Sequence, residues 1–190
     1  MKTMFAALIA FTVVGAIPDL PAQQLRVGQD TRPIHAYLAL PRVGTLLPDF
    51  HYETVDGGML TPNSLEGAPA VLALWSTWCG ASRALLGDIE ALRAEYASRG
   101  VRVVILAMDS LPDLRAYRDS VGVRTEMVAA VDLSTRFDFS ASAPERDSLR
   151  VAFALPAFVV VDRHGRVVMR DGGPAFREIR AALESELQRE

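Results

Sequence analysis

Hydrophobic and polar positions divide the chain into blocks of different period. Met4–Ile17 is free of charge and mostly apolar, and Pro18 ends it. Residues 23 to about 45 are mixed, carry Pro33, Pro41 and Gly44, and predict an extension with one short strand at Ile34–Leu40. The pattern tightens at Leu47. Asp49–Thr54 alternates as a strand, Asp56-Gly57-Gly58 signals a turn, and Met59-Leu60 returns as a short strand. Thr61–Gly67 is a polar connection. Ala70–Trp75 is a continuous apolar run, as a strand buried on both faces requires. Over residues 80–99 the spacing turns helical, with Leu85, Ile89, Leu92 and Tyr96 on one face and Gly100 as the stop. Val101–Ala107 predicts a strand, Pro112–Ser120 a helix and Met127–Val131 a third apolar strand. Residues 132–150 are polar and irregular. Phe158–Val161 and Arg166–Met169 flank Asp162-Arg163-His164-Gly165, a hairpin signal, and Phe176, Ile179, Leu183 and Leu187 define a closing helix from near Pro174.

Alternating strands and helices imply an α/β fold, a largely parallel sheet covered by helices and made mixed by the terminal hairpin. The order divides the chain into a signal segment (1–22), an extension or linker (23–44) and one domain (45–190). With 190 residues, half of them apolar, the chain suffices for a single sizeable core.

The first block adds a compartment. Lys2 supplies a short basic start, Met4–Ile17 the apolar stretch, and Ala22 a small residue for cleavage, with Ala16 as a second choice. The run is shorter than the ~20 residues of a spanning helix, so membrane attachment would come only from leaving this segment uncleaved. Export leads to a periplasmic or other extracytoplasmic, oxidising compartment where disulfides persist. The chain has a single cysteine, so no internal disulfide can form and the thiol is free or pairs with another molecule. The net charge of −3 shows no basic stripe of the kind nucleic-acid binding uses. Lys2 is the only lysine, which leaves no Schiff-base candidate within the domain.

The chemistry concentrates at Cys79. Trp78-Cys79-Gly80 closes the central apolar strand and opens the helical pattern. A thiol there sits at a helix N-terminus, where amides and the macrodipole favour the thiolate. Ser82 follows one turn on, and its hydroxyl can donate to that thiolate.

Taken together, Leu47-Pro48-Asp49-Phe50, Val71–Trp75, Trp78-Cys79-Gly80, Leu155-Pro156-Ala157-Phe158 and Val161-Asp162-Arg163-His164-Gly165-Arg166 resemble the extracytoplasmic thioredoxin-like family, in particular TlpA/ResA-type thiol–disulfide reductases. The matching stretches span about residues 45–188. The resemblance implies a thioredoxin-like fold with an N-terminal hairpin and an insertion before the strand that starts at a cis-proline, Pro156. It implies that Pro156 faces the reactive sulfur, that Leu155 offers backbone groups to a bound peptide, and that Trp78 and Gly80 border the substrate. No cofactor and no metal is implied; the partners would be protein or low-molecular-weight thiols and disulfides.

The departures bear on mechanism. The family's Cys-x-x-Cys is Cys79-Gly80-Ala81-Ser82 here, and a hydroxyl does not undertake thiol–disulfide exchange. Two carboxylates that relatives place six before the first cysteine and three after the second are replaced by Ala73 and Leu85. The resulting expectation is a monothiol enzyme with Cys79 as nucleophile and Ser82 as its hydrogen-bond partner. Two alternatives stay open: a non-catalytic module that binds partners at Pro156, and a peroxiredoxin-like peroxide reductase. For the last, Ser76 holds the hydroxyl position three before Cys79, while Leu72 stands where such enzymes carry proline. His35, His51 and His164 have no metal-ligand spacing. Residues 132–150, with Arg136, Asp138, Glu145, Arg146 and Asp147, read as a solvated insertion or as a lid over Pro156.

Overall fold

Ala70–Trp75 forms the central strand, and all six of its residues are buried. The computed structural model describes residues 40–131 and 155–189. The expected signal segment, the strand at Ile34–Leu40 up to its last residue, and the 132–150 segment lie outside them.

A two-stranded antiparallel hairpin comes first, β1 (Tyr52–Glu53) and β2 (Met59–Leu60). There follow β3 (Ala70–Trp75), α1 (Gly80–Ala84), α2 (Leu86–Tyr96), β4 (Arg102–Ala107), α3 (Leu111–Val121), β5 (Glu126–Ala129), β6 (Ala157–Val161), β7 (Val167–Asp171) and α4 (Phe176–Leu187). The main sheet has the order β5–β4–β3–β6–β7, with β3, β4 and β5 parallel and β6 and β7 antiparallel to their neighbours. The mixed sheet expected from the pattern is therefore present.

Because side chains alternate along a strand, β3 feeds two cores. Ala70, Leu72 and Leu74 pack with Phe50, Tyr52, Leu60 and Leu65 from the N-terminal hairpin region. Val71, Ala73 and Trp75 pack on the other face with Ile89 and Leu92 of α2, Leu114 of α3, and Ile179 and Leu183 of α4. Two backbone tethers close the edges. Residues 44–47 bond to Gly165 and Val167 beside β7, and Val55 N–H donates to the Met127 carbonyl at 3.0 Å beside β5. At the β6–β7 turn the Asp162 carboxylate accepts the amides of His164 and Arg166, and Gly165 takes a φ of 73° that favours glycine. His164 is an exposed turn residue there.

One expectation is corrected. The helix of residues 80–99 is two helices that turn at Leu85, followed by a short 3-10 turn at Ala97–Arg99. The Ser82 carbonyl accepts the Trp75 indole N–H at 2.6 Å, and the Leu85 amide is shared between the carbonyls of Ala81 and Ser82. A carbonyl engaged by a tertiary donor is withdrawn from the α-helical ladder, and the helix restarts one residue later. The restart puts Leu86, not Leu85, into the core with Ile89, Leu92 and Tyr96. Among the described residues no helix is long and apolar enough to cross a membrane.

Candidate active site

The site is built where β3 ends. Its ladder with β4 runs one step past the strands, as Met108 N–H donates to the Trp75 carbonyl at 3.0 Å. That step carries Asp109 alongside the turn of residues 76–79. Asp109 is buried, and it accepts the Thr77 amide at 2.9 Å and the Thr77 hydroxyl at 2.5 Å. The next two amides are also satisfied: Trp78 N–H donates to Ser76 Oγ at 3.2 Å, and Cys79 N–H to the Ser76 carbonyl at 3.4 Å. The backbone N–H groups of Thr77, Trp78 and Cys79 thus each have a defined partner, which helps set the position of Cys79 as the residue preceding α1.

The Cys79 sulfur is partly exposed, and its thiol donates to the Leu155 carbonyl at 3.5 Å. The Leu155–Pro156 peptide bond is cis, and Pro156 is buried at the start of β6. Cys79 and the Leu155–Pro156 step, 76 residues apart for the bonded pair, are brought together because β3 and β6 are paired neighbours. Trp78 projects beside the sulfur with 64% of its surface exposed, and Gly80 is exposed at the first position of α1.

Ser82 is fully buried, and its hydroxyl has no hydrogen-bond partner. Desolvation from partial burial pushes the Cys79 pKa up. The Ser82 hydroxyl, the amides of Ser82 and Ala81, and the Arg83 guanidinium outweigh it, so the thiol lies below its ordinary value. The unpartnered hydroxyl thus gains an acceptor when the sulfur ionises. The helix preceding the turn at Leu85 has only five residues. The stabilisation therefore comes from the Ser82 hydroxyl, the nearest amides and Arg83 rather than from the macrodipole of the long helix that the sequence pattern had implied.

Ala73 is buried in β3 and Leu85 is partly exposed at the helix turn; neither carries a proton to exchange. Ser76, the hydroxyl of the peroxidase-like spacing, is fully buried and its Oγ is occupied by the Trp78 amide. Among the described residues no group of His, Cys, Asp or Glu could hold a metal ion. Sequence reasoning missed Thr77, Asp109 and Arg83. Asp109 had a signal: it follows the apolar run of β4, at the carboxyl end of a parallel strand, where open α/β sheets place their sites.

The AhpC/TSA family model matches residues 43–170, and the chain belongs to that family. The thiol-disulfide oxidoreductase ResA of Oceanobacillus iheyensis is 36% identical over 72 residues, 36% of this chain and 38% of that protein, so the matched part spans less than half of that relative. ResA of Halalkalibacterium halodurans is 24% identical over 149 residues, covering 77% of this chain and 78% of that one. A solved thiol:disulfide interchange protein of the thioredoxin family from Chlorobium tepidum has a TM-score of 0.59 at 23% identity, over 77% of this chain and 98% of that chain. The fold is thioredoxin-like.

Proposed function

We propose that this member of the AhpC/TSA family is an exported thiol–disulfide oxidoreductase that works with one thiol. The observation that carries the reading is the pairing of a partly exposed Cys79, its pKa held down, with a buried Ser82 hydroxyl that has no other partner. In the proposed cycle the Cys79 thiolate attacks one sulfur of a disulfide. A Cys79–substrate bond forms, the substrate S–S bond breaks, and the electron pair leaves on the second sulfur as a thiolate. Ser82 cannot attack the mixed disulfide, so an external thiolate attacks its substrate sulfur; a new disulfide forms between the two, the Cys79–substrate bond breaks, and Cys79 leaves as a thiolate. Trp78, Gly80, Leu155 and Pro156 border the sulfur and receive the substrate; the substrates are protein or low-molecular-weight disulfides. Residues 1–22 act as the export signal, 23–44 as a linker and 45–190 as the working domain; an uncleaved signal would tether the protein to the membrane.

A pH titration of Cys79 alkylation tests the reading, with an expected midpoint below the free-thiol value of ~8.5. Disulfide reduction should be very slow alone and should accelerate with added monothiol. An alkylation midpoint at or above the free value, with no mixed disulfide detected by intact mass, would leave the binding-module reading in its place. Rapid formation of a sulfenic acid at Cys79 with stoichiometric peroxide would favour the peroxide-reducing reading instead.

A further inference from the structure

We propose that Arg83 makes the Cys79 site selective for anionic substrates, disulfides and thiols that carry a carboxylate or similar negative group close to the reacting sulfur. The inference rests on the thiol–disulfide reading and names the substrate class of that same site.

Arg83 lies one helical turn beyond Cys79, and its amide donates to the Cys79 carbonyl at 3.1 Å. Residues four apart lie on one side of a helix, and the Arg83 charge is close enough to the sulfur to favour its thiolate. Arg83 is exposed, and no carboxylate pairs with it among the described residues. Other arginines of the helical layer are committed: Arg99 to Glu184, Arg118 to Asp56 and Asp119, and Arg180 to Glu95. The carboxylate of the site itself, Asp109, has both oxygens on Thr77 and forms no ion pair with Arg83. A second observation marks this as a reacting site rather than a lone thiol. Ser82, fully buried one residue before Arg83, has a hydroxyl without a hydrogen-bond partner, and that hydroxyl favours an anion at Sγ. A positive charge beside a thiolate also raises the local concentration of anions and steers their approach.

The test uses three aliphatic disulfides of different charge, dithiodipropionate (anionic), hydroxyethyl disulfide (neutral) and cystamine (cationic). Each reaction is a single exchange: the Cys79 sulfur bonds to one probe sulfur, the probe S–S bond breaks, and its second sulfur leaves as a thiolate. Intact-mass spectrometry follows the adduct. The readout is the ratio of anionic to neutral rate constants, in which any change in thiolate fraction cancels. Wild type should favour the anionic probe over the neutral one and disfavour the cationic one. Arg83→Gln should lower the ratio about threefold, the effect of one unit charge at roughly one helical turn in a water-facing setting. Arg83→Lys should keep most of it, and raised salt should erode it. Equal ratios in wild type and Arg83→Gln overturn the proposal while leaving the thiol–disulfide reading intact. Failure of wild-type Cys79 to react with any of the three overturns both.

Discussion

Asp109 holds Thr77 by two bonds at once, accepting its amide on one carboxylate oxygen and its hydroxyl on the other. The two residues are 32 positions apart, and the contact anchors the turn that presents Cys79. Asp109→Ala should destabilise the protein by about 1–3 kcal/mol, because the Thr77 amide loses its acceptor. It should also slow Cys79 alkylation. Asp109→Asn should retain most of both, since its oxygen can accept the amide and its NH2 can donate to the hydroxyl. Denaturant melts and alkylation rates on the two variants check this; equal loss in both would show that charge, not the two-point grip, matters.

Ser82→Ala removes the side-chain donor that favours the thiolate. Its effect on Cys79 should be an upward move of the alkylation midpoint, toward the ordinary ~8.5. At neutral pH the variant should therefore react more slowly, and the difference should vanish at high pH where both thiols are ionised. A midpoint that stays put would mean that the amides and Arg83 alone hold the thiolate.

Ser82→Cys should restore a Cys-x-x-Cys pair on α1 and form an intramolecular disulfide in air. Ser82 is fully buried, and neither Ala73 nor Leu85 can deprotonate a thiol placed there. Burial raises the pKa of such a group, so the dithiol activity gained should be partial and should rise with pH. Finding two free thiols by mass spectrometry after oxidation would contradict the placement of residue 82 beside Cys79.

Glu90 joins α2 to the start of β5. Its carboxylate accepts the amides of Arg124 at 3.0 Å and Thr125 at 2.6 Å. Desolvation pushes its pKa up, but the Thr125 hydroxyl, these amides and Arg93 outweigh it, and the folded pKa is lowered. A lowered carboxylate pKa contributes stability that is present above the unfolded value of ~4.3 and is lost as the pH falls through the folded value. Glu90→Gln should accordingly cost about 1 kcal/mol at neutral pH and flatten the acid side of the stability curve. A loss of the same size at every pH would show that ionisation of Glu90 is not the cause.

The local signals in the chain were enough for most of the elements. Ala70–Trp75 reads as a buried strand because all of it is apolar, and the structure buries every residue on one of two faces. At α3 the pattern placed the helix start at Pro112; the structure begins it at Leu111, where the Ser110 hydroxyl accepts the Asp113 amide three residues on. Cys79 was legible as the chemical centre because it is the only cysteine and it stands between a strand and a helix.

What the sequence determined by itself is what neighbours along the chain can settle: period, turns, caps, and the presence of one thiol with a serine one turn away. The tertiary structure decided the rest. It broke the helix at Leu85, because the partner of the Ser82 carbonyl is an indole on the preceding strand. It brought Asp109 to Thr77 through the pairing of β3 with β4, and Leu155 to Cys79 through the pairing of β3 with β6. It left the Ser82 hydroxyl buried without a partner. The Asp109 and Leu155 contacts depend on which strand lies beside which. No periodicity along the chain encodes such a contact, because the two groups that make it meet only after the sheet has formed.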